Sequence, residues 1–212
     1  MMKKNKKSAI ILLSGGLDSY VSLDISSKIY DIKLAVTFDY GQKALRDEIK
    51  ASKKISKKYG IEHRLIKLPF LAQMCNDTSK DIWIPNRNGL FLNIAGCFCD
   101  KYGIEGIIFG ANIEEAQDFS DNSIDFIKNA QKALSYSTRN NPKIITPLIK
   151  MTKFETISYG IENNLDLSLI KSCYNSKEIT GRKHCGKCPS CKLLKAAVLK
   201  AGRQDLLKTL GF

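Results

Sequence analysis

Six consecutive residues near the start of the chain have the types and order that suit phosphate binding. The run Ser14–Ser19 reads Ser-Gly-Gly-Leu-Asp-Ser and directly follows the apolar run Ala9–Leu13. A short, continuously apolar run that ends at glycines is typical of a buried parallel strand. The glycines let phosphate oxygens approach the main chain, and Ser14, Asp18 and Ser19 are candidate caps for a following helix. Free amide groups and the positive end of the helix dipole then favour an anion at this turn.

The spacing of this turn excludes two common phosphate-binding motifs. It is neither the G-x-x-x-x-G-K-[ST] sequence of a Walker loop nor the G-x-G-x-x-G sequence of dinucleotide-binding turns. It resembles the S-G-G-x-D-S loop of the PP-loop ATP pyrophosphatases. That resemblance implies a loop that holds the pyrophosphate of ATP, with Mg2+ sharing its charge, while a substrate attacks the α-phosphorus. An ordinary strand–turn–helix corner is the alternative. The residues expected to bind ATP are Leu13, Ser14, Gly15, Gly16, Leu17, Asp18, Ser19, Tyr20 and Phe38.

Four of the seven cysteines are spaced as metal ligands near the other end of the chain. Cys185, Cys188 and Cys191 form two overlapping C-x-x-C steps, and Cys173 can complete a tetrahedron. The adjacent His184 is not expected to ligate, because four thiolates already fill the shell. The segment has few apolar residues, so metal binding would supply its stability. We therefore expect structural zinc, and an iron–sulfur cluster is the alternative that this spacing also permits.

Composition and length indicate a soluble globular protein of ordinary size. The 212 residues, 43% of them hydrophobic, suffice for one sizeable domain with a small appendage. No apolar run approaches the roughly 20 residues that span a bilayer. The basic start Met1–Lys7 precedes an apolar run too short for the core of a signal peptide. We expect a cytoplasmic protein with a frayed basic tail and no membrane partner.

The formal net charge of +13 attracts anions, ATP among them, but does not by itself establish a nucleic-acid partner. The surplus is mostly lysine scattered along predicted helices, as in Lys50–Lys58, which is typical of a solvated helix face. No arginine-rich stripe and no interleaved aromatic run for base stacking is present in the sequence. We therefore expect small-molecule partners and no nucleic acid.

Strand and helix patterns alternate along the chain and predict an α/β fold with a doubly wound, Rossmann-like parallel sheet. The first helix, Asp18–Tyr30, is expected to turn Leu23 and Ile29 inward, and residues 70–88 are expected to be irregular. Ligands of such sheets bind at the carboxyl ends of the strands, where the turns at 14–19, 39–42 and 110–121 would line one cleft. The predicted strands are Ala9–Leu13, Lys33–Phe38, His63–Leu68, Gly106–Gly110 and Lys143–Thr146.

Two domains are predicted from the change in composition past residue 170. Residues 8–170 would form the ATP-binding α/β domain, and residues 171–212 a metal-binding C-terminal module closed by a helix from about Pro189 to Ala201. Within the first domain, Thr152 and Glu155 have the spacing of a capping box and predict a helix start at that point.

The phosphate loop and the cysteine group together resemble the 7-cyano-7-deazaguanine synthases, the preQ0-forming family of queuosine biosynthesis. The likeness covers nearly the whole chain and is carried by several further segments. These segments are Phe38–Gln42, Pro85–Leu92, Asp118–Asp121, Thr146–Leu148, Lys153–Glu155 and Ser172–Asn175. One departure is that Lys43-Ala44 stands where many members carry Arg-His, so no role of that histidine is transferred.

The resemblance implies ATP-dependent conversion of 7-carboxy-7-deazaguanine and ammonia into a nitrile through adenylated intermediates. It implies catalytic roles for Lys153, Asp18 and Arg87, substrate contacts from Arg87, Asp118, Phe119 and Asp121, and a homodimer. Lys153 is expected to neutralise phosphate charge, and a solvated lysine in a capping box is the alternative for that residue. Other functional hypotheses are a PP-loop tRNA thiolase, a relative that passes the adenylated deazaguanine to a protein amine, and a non-catalytic zinc module that binds nucleic acid.

Overall fold

The computed structural model describes residues 6–76 and 83–212, without the side chains of residues 75, 76 and 179. Residues 1–5, which make up most of the predicted basic tail, lie outside the described residues. So do residues 77–82, part of the segment expected to be irregular.

A five-stranded parallel sheet forms the centre of the fold, as predicted, in the order β3-β2-β1-β4-β5. The central strand pairs Ile10 with Leu34 on one side and with Ile107 on the other. The order reverses at β1, so the sheet has the switch point where doubly wound folds bind ligands. The strands are β1 (Ser8–Leu12), β2 (Asp31–Asp39), β3 (Glu62–Lys67), β4 (Gly106–Ile108) and β5 (Lys143–Ile145).

Ten helices surround the sheet within the described residues, apart from two short 3-10 turns. Part of the segment expected to be irregular is helical: α3 begins at Pro69, a residue suited to the first helical position, and Leu71 is buried in the core. The helices are α1 (Leu17–Ser27), α2 (Leu45–Tyr59), α3 (Pro69–Asn76), α4 (Arg87–Tyr102), α5 (Glu115–Asp118), α6 (Ile124–Ser137), α7 (Lys153–Glu162), α8 (Lys177–Thr180), α9 (Pro189–Lys200) and α10 (Leu206–Leu210).

The side chains on the two faces of β1 pack into two separate apolar cores. Ile11 packs with α1, α7 and α9 on one face, while Ile10 packs with α4 on the other, because successive strand side chains point to opposite faces. Leu23 is buried in the first core as predicted. The inward placement of Ile29 is wrong: α1 ends at Ser27, and Ile29 is 62% exposed.

The segment after residue 170 packs against the sheet domain through α9. Leu194 and Val198 of α9 share the first core with Ile157 of α7. The division of the chain at residue 170 stays a prediction. Within the described residues, no helix has both the length and the apolar character needed to cross a bilayer.

Candidate active site and metal centre

The loop between β1 and α1 has a backbone that only glycine accommodates at its centre. Gly15 has φ +81°, in the left-handed region. A Cβ at this position would lie 2.7 Å from the Cβ of Ala51 and 3.1 Å from the carbonyl oxygen of Glu48. The loop is therefore pressed against α2, which sets its curvature.

The first turn of α1 is not capped by the residues that the sequence favoured. The N-cap is Gly16, and no side chain of the loop caps the helix, so capping by Ser14, Asp18 or Ser19 is wrong. Ser14 Oγ instead accepts the Gly16 N–H at 3.3 Å, and Ser19 Oγ donates to the Gly16 carbonyl oxygen at 3.1 Å. These hydrogen bonds hold the conformation of the loop and do not cap the first amides of the helix.

A buried ion-pair cluster lies beside the loop, built from α1, α5 and α7. Lys153 Nζ lies 2.5 Å from Asp18 Oδ2 and 3.2 Å from Glu115 Oε1. The Lys153 side chain is only 7% exposed, so the alternative of a solvated lysine is wrong. Burial alone lowers the pKa of Lys153, but the carboxylates of Asp18 and Glu115 outweigh burial and raise the pKa above its usual value.

The second carboxylate oxygen of Asp18 differs from the first in having no partner. Asp18 Oδ1 is buried and accepts no hydrogen bond from the described residues. Leaving a buried carboxylate oxygen without a donor is costly. Asp18 also lines the cavity described next, so a ligand there that carries a cation would supply this oxygen with the partner that it lacks.

One cavity of about 510 Å³ opens at the carboxyl ends of β1, β2 and β4. All three predicted turns contribute to it, so the expected cleft is present. Gly15, Leu17 and Tyr20 do not line it: Gly15 packs on α2, and the other two side chains are buried in the core. The predicted ATP-binding residues that do line the cavity are Leu13, Ser14, Gly16, Asp18, Ser19 and Phe38.

Aromatic rings line the side of the cavity formed by β2 and α4. The rings of Phe38 and Phe91 stack with centroids 4.0 Å apart and an interplanar angle of 7°. The Tyr40 ring is tilted against Phe91 at 5.6 Å, and the Arg87 guanidinium lies over the Tyr40 ring at 5.8 Å. This side of the cavity offers flat apolar surfaces of the kind that bind planar ring systems.

The predicted substrate residues divide between the cavity and the surface. Arg87, Phe119 and Asp121 line the cavity, whereas Asp118 is exposed and does not line it. Burial raises the pKa of the Asp121 carboxyl, and the Arg87 guanidinium offsets this rise only in part. The Phe119 ring lies parallel to that of Trp83 at 6.2 Å, so two aromatic rings mark this end of the site.

Two cavity residues, Glu48 and Lys171, were not identified from the sequence. Glu48 Oε2 accepts a hydrogen bond from Gln42 Nε2 at 2.8 Å, and burial raises the pKa of its carboxyl. Lys171 is buried and pairs with Asp47 at 3.2 Å. Each of the two residues lies next to a segment that the sequence analysis did single out. Gln42, the partner of Glu48, belongs to the Phe38–Gln42 segment, and Lys171 directly precedes Ser172-Cys173.

The four predicted cysteine ligands converge as a metal site requires. The sulfurs of Cys173, Cys185, Cys188 and Cys191 all lie within 4.8 Å of one another. The Cys185–Cys191 and Cys173–Cys188 pairs are separated by 3.9 and 4.0 Å. A single tetrahedral ion with metal–sulfur bonds of about 2.3 Å needs sulfurs about 3.8 Å apart. In a multi-iron cluster the four thiolates are divided between two or more irons, which places some of the sulfurs farther apart, so the geometry favours one ion.

The hydrogen bonds around the cysteine group suit thiolates, and His184 is not one of the ligands. Cys173 Sγ accepts from the backbone N–H of Asn175 at 3.4 Å and of Cys185 at 3.5 Å. Such donors stabilise negative sulfur next to a metal. Both ring nitrogens of His184 are hydrogen-bonded elsewhere, as predicted for a residue outside the shell. Cys188 also lines the cavity, so the metal centre forms part of its wall.

Comparison with known proteins places the chain in a family. The sequence profile described as "Queuosine biosynthesis protein QueC" matches residues 8–202. The chain belongs to the QueC family. A QueC relative named 7-cyano-7-deazaguanine synthase from Methanosarcina barkeri is 40% identical, over 96% of this chain and 99% of the relative. A QueC relative with the same name from Carboxydothermus hydrogenoformans is 41% identical, over 89% of this chain and 97% of the relative.

Solved structures of other proteins share the fold of this QueC chain. The U34-tRNA thiolase NcsA from Methanococcus maripaludis superposes with a TM-score of 0.56 at 18% identity, over 99% of this chain and 71% of that chain. The NH3-dependent NAD synthetase from Campylobacter jejuni gives a TM-score of 0.53 at 12% identity, over 98% and 80%. At these identities the likeness establishes the PP-loop type of fold, as predicted, and nothing more.

Proposed function

We propose that this QueC-family chain is a 7-cyano-7-deazaguanine synthase, which converts 7-carboxy-7-deazaguanine and ammonia into the nitrile preQ0 at the expense of ATP. The observation that carries the proposal is the single cavity that combines a glycine phosphate loop, an aromatic side and the Arg87–Asp121 end. Relatives that carry this name match over nearly their whole length and support it.

The phosphate loop and the aromatic side of the cavity divide the binding of ATP between them. The N-terminus of α1 at the cavity suits the departing pyrophosphate, since the first amides of a helix have no partner within it and favour anions. The unpartnered Asp18 Oδ1 suits Mg2+, which prefers carboxylate oxygens and would neutralise phosphate charge. Phe38 lines the cavity at the end of β2, where a planar adenine would lie against apolar surface.

The reaction needs ATP because neither oxygen of a carboxylate leaves readily. The substrate carboxylate attacks the α-phosphorus of ATP, pyrophosphate leaves, and ammonia then displaces AMP to give an amide. The amide oxygen then attacks the α-phosphorus of a second ATP and releases a second pyrophosphate, and loss of AMP and protons leaves the nitrile. Arg87 is suited to hold the substrate carboxylate, because a guanidinium pairs with carboxylates in a fixed geometry. Fixed donors and reactant positioning supply most of the rate acceleration here.

Lys153 has a different role from the one expected of a phosphate-binding cation. Its ammonium is held by Asp18 and Glu115 and is absent from the cavity lining. We propose that it fixes Asp18, and so the Mg2+ position, by keeping one carboxylate oxygen occupied. Asp118 has no contact with the cavity in this arrangement, and Asp121 is left as the acidic partner of the substrate.

The metal at the four cysteines would be structural zinc. A shell of four thiolates has no open position for water, so the ion supplies rigidity and no Lewis-acid step. Cytoplasmic location and a homodimer remain predictions.

The thiolase hypothesis is less well supported than the nitrile synthase. Of the cysteine side chains that the structure describes, only Cys188 lines the cavity, and it belongs to the metal group. Cys99 is buried against the sheet, and burial raises the pKa of its thiol to about 12, which opposes thiolate formation.

Product analysis tests the proposal directly. The purified protein is incubated with ATP, Mg2+, ammonium and 7-carboxy-7-deazaguanine, and the products are separated and weighed by mass spectrometry. We expect preQ0, dependent on every component. In a reaction without ammonium, transfer of the deazaguanine to an added protein would instead support the hypothesis of a relative that passes the adenylated deazaguanine to a protein amine. Binding of tRNA with no nitrile formed would support the thiolase hypothesis and contradict the proposal.

A further inference from the structure

The first backbone amide of α1 is capped by a residue that is distant in the sequence. Ser172 Oγ accepts the N–H of Leu17 at 3.1 Å, across 155 positions of sequence. The first amides of a helix have no partner within the helix, and a serine hydroxyl is among the preferred acceptors. In most helices that acceptor lies just before the first turn, but here the preceding residue is glycine, and Ser172 takes its place.

A main-chain hydrogen bond ties the same segment to the centre of the loop. The N–H of Lys171 donates to the Gly15 carbonyl oxygen at 2.7 Å. A Cβ at Gly16 would lie 3.7 Å from both the Lys171 carbonyl oxygen and Ser172 Oγ. Residues 171–172 therefore lie directly against the phosphate loop and help to set the direction of its amides.

The position of Ser172 depends in turn on the metal centre. Ser172 directly precedes the ligand Cys173, and its N–H donates to His184 Nε2 at 3.0 Å. Because Nε2 accepts, the proton is on Nδ1, which donates to the Leu210 carbonyl oxygen at 2.6 Å. His184 is fully buried and directly precedes the ligand Cys185. Two ligand-bearing segments are thus joined to each other and to the phosphate loop.

We propose that Ser172 is a positioning residue for ATP binding. Its hydroxyl holds the phosphate loop in the conformation that binds ATP, and the metal centre in turn holds Ser172 in place. The proposal rests on the proposed function insofar as ATP is the nucleotide. Without the Ser172 hydroxyl the Leu17 amide has no fixed acceptor, so the loop samples other orientations. Loss of the metal would have the same effect by releasing the segment that carries Ser172.

The experiment compares the metal-loaded wild type with Ser172→Ala, Ser172→Thr and Ser123→Ala. Each variant is assayed for metal content by mass spectrometry, for the Kd of ATP with Mg2+ by calorimetry, and for amide exchange of the 15–19 segment. Ser123 Oγ caps α6 by accepting the Phe126 N–H at 3.1 Å, so its variant removes a comparable cap away from the loop.

For Ser172→Ala we expect one metal ion per chain, faster exchange in the loop and an ATP Kd raised about five- to thirty-fold, the effect of losing one cap. Its KM for ATP should rise more than its kcat falls. Ser172→Thr retains a hydroxyl and should restore ATP binding. Ser123→Ala should melt at a lower temperature with an unchanged ATP Kd.

An ATP Kd for Ser172→Ala equal to that of the wild type would overturn the proposal. A second experiment removes the metal from the wild type with a chelator. If amide exchange of the 15–19 segment and the Kd of ATP then stayed unchanged, the link to the metal centre would be overturned. A wild-type protein that binds no ATP would instead contradict the proposed function, so the two failures are distinguishable.

Discussion

Single buried charges carry much of the chemistry at this site. Lys153 lies between Asp18 and Glu115, out of the cavity, and its ammonium is paired with both carboxylates. A buried pair of this kind adds little net stability, but removing one partner leaves an uncompensated charge. The arrangement therefore fixes the position of Asp18 strongly.

Replacing Lys153 tests that interdependence. We expect Lys153→Ala to lower the free energy of unfolding by about 3–5 kcal/mol, because two buried carboxylates lose their cation. The matched control is Lys150→Ala at an exposed position, which should change stability by no more than about 0.5 kcal/mol. Chemical denaturation followed by circular dichroism measures both. An equal, small effect of the two substitutions would contradict the buried cluster.

Glu48 predicts a pH dependence with a definite sign. Burial raises the pKa of its carboxyl above the ordinary 4.5, so between the two values the folded state binds more protons than the unfolded state. Stability attributable to Glu48 is therefore complete below pH 4.5 and is lost as the pH rises through the folded pKa. Glu48→Gln keeps an acceptor for Gln42 and should become increasingly more stable than the wild type over that interval.

Glu155 provides a control of opposite sign for the pH experiment. The backbone N–H of Thr152 lowers the pKa of the Glu155 carboxyl, so its contribution is present above the ordinary 4.5 and is lost as the pH falls through the folded pKa. Thermal melting of Glu48→Gln and Glu155→Gln, each compared with the wild type at a series of pH values, measures the two trends. Difference curves of the same sign would show that the assigned environments are wrong.

The phosphate loop is the element on which the proposed nucleotide binding depends, and its shape is set by its contact with α2. At Gly15 a side chain is opposed both by the left-handed backbone and by close contact with α2. Gly60 at the end of α2 has a similar φ of +67°, but among the described residues no atom beyond its own chain neighbours lies within 4 Å of the position that a Cβ would take. The two glycines therefore separate the effect of backbone conformation from the effect of close packing.

We expect Gly15→Ala to lower the free energy of unfolding by about 2–4 kcal/mol, the sum of a left-handed alanine and a steric overlap. Gly60→Ala should lower it by only about 1–2 kcal/mol. The ATP Kd should rise about tenfold or more in Gly15→Ala, a loss of about 1.4 kcal/mol of binding free energy, and stay unchanged in Gly60→Ala. Denaturation and calorimetry on both proteins measure these effects, and equal ATP affinities would contradict the assigned loop.

The elements differ in how far they could be predicted from the sequence. The central strand β1 was predictable because a buried parallel strand is a short, continuously apolar run, and the capping box at Thr152 and Glu155 is present as expected. The cap of α1 was not predictable, because Ser172 is distant in sequence and reaches Leu17 only in the fold. The partners of Lys153 and the burial of Glu48 likewise depend on tertiary packing, which local patterns do not encode.

At the scale of the whole molecule, the C-terminal segment joins the sheet domain at the core and at the cavity wall as well as at the phosphate loop. Its helix α9 enters the core of the sheet domain, and the cysteine group forms part of the cavity wall through Cys188. The cysteine group thus lies next to the proposed chemistry although its closed shell takes no part in it.

The metal site makes a prediction about composition and fold stability. We expect one zinc ion per chain, no visible absorption of the kind that iron–sulfur clusters give, and a marked fall in melting temperature on chelation, because the metal cross-links Cys173 to the Cys185–Cys191 segment. Elemental analysis, absorption spectroscopy and melting measure these properties. Several irons with sulfide per chain would contradict a single tetrahedral ion.

The most direct measurement of the central claim is the identity of the nucleotide products during nitrile formation. Phosphorus NMR of the reaction with ATP, ammonium and 7-carboxy-7-deazaguanine distinguishes cleavage at the α-phosphorus from cleavage at the γ-phosphorus. The account predicts AMP and pyrophosphate, with two AMP formed for each preQ0. ADP and inorganic phosphate as the primary products would contradict it.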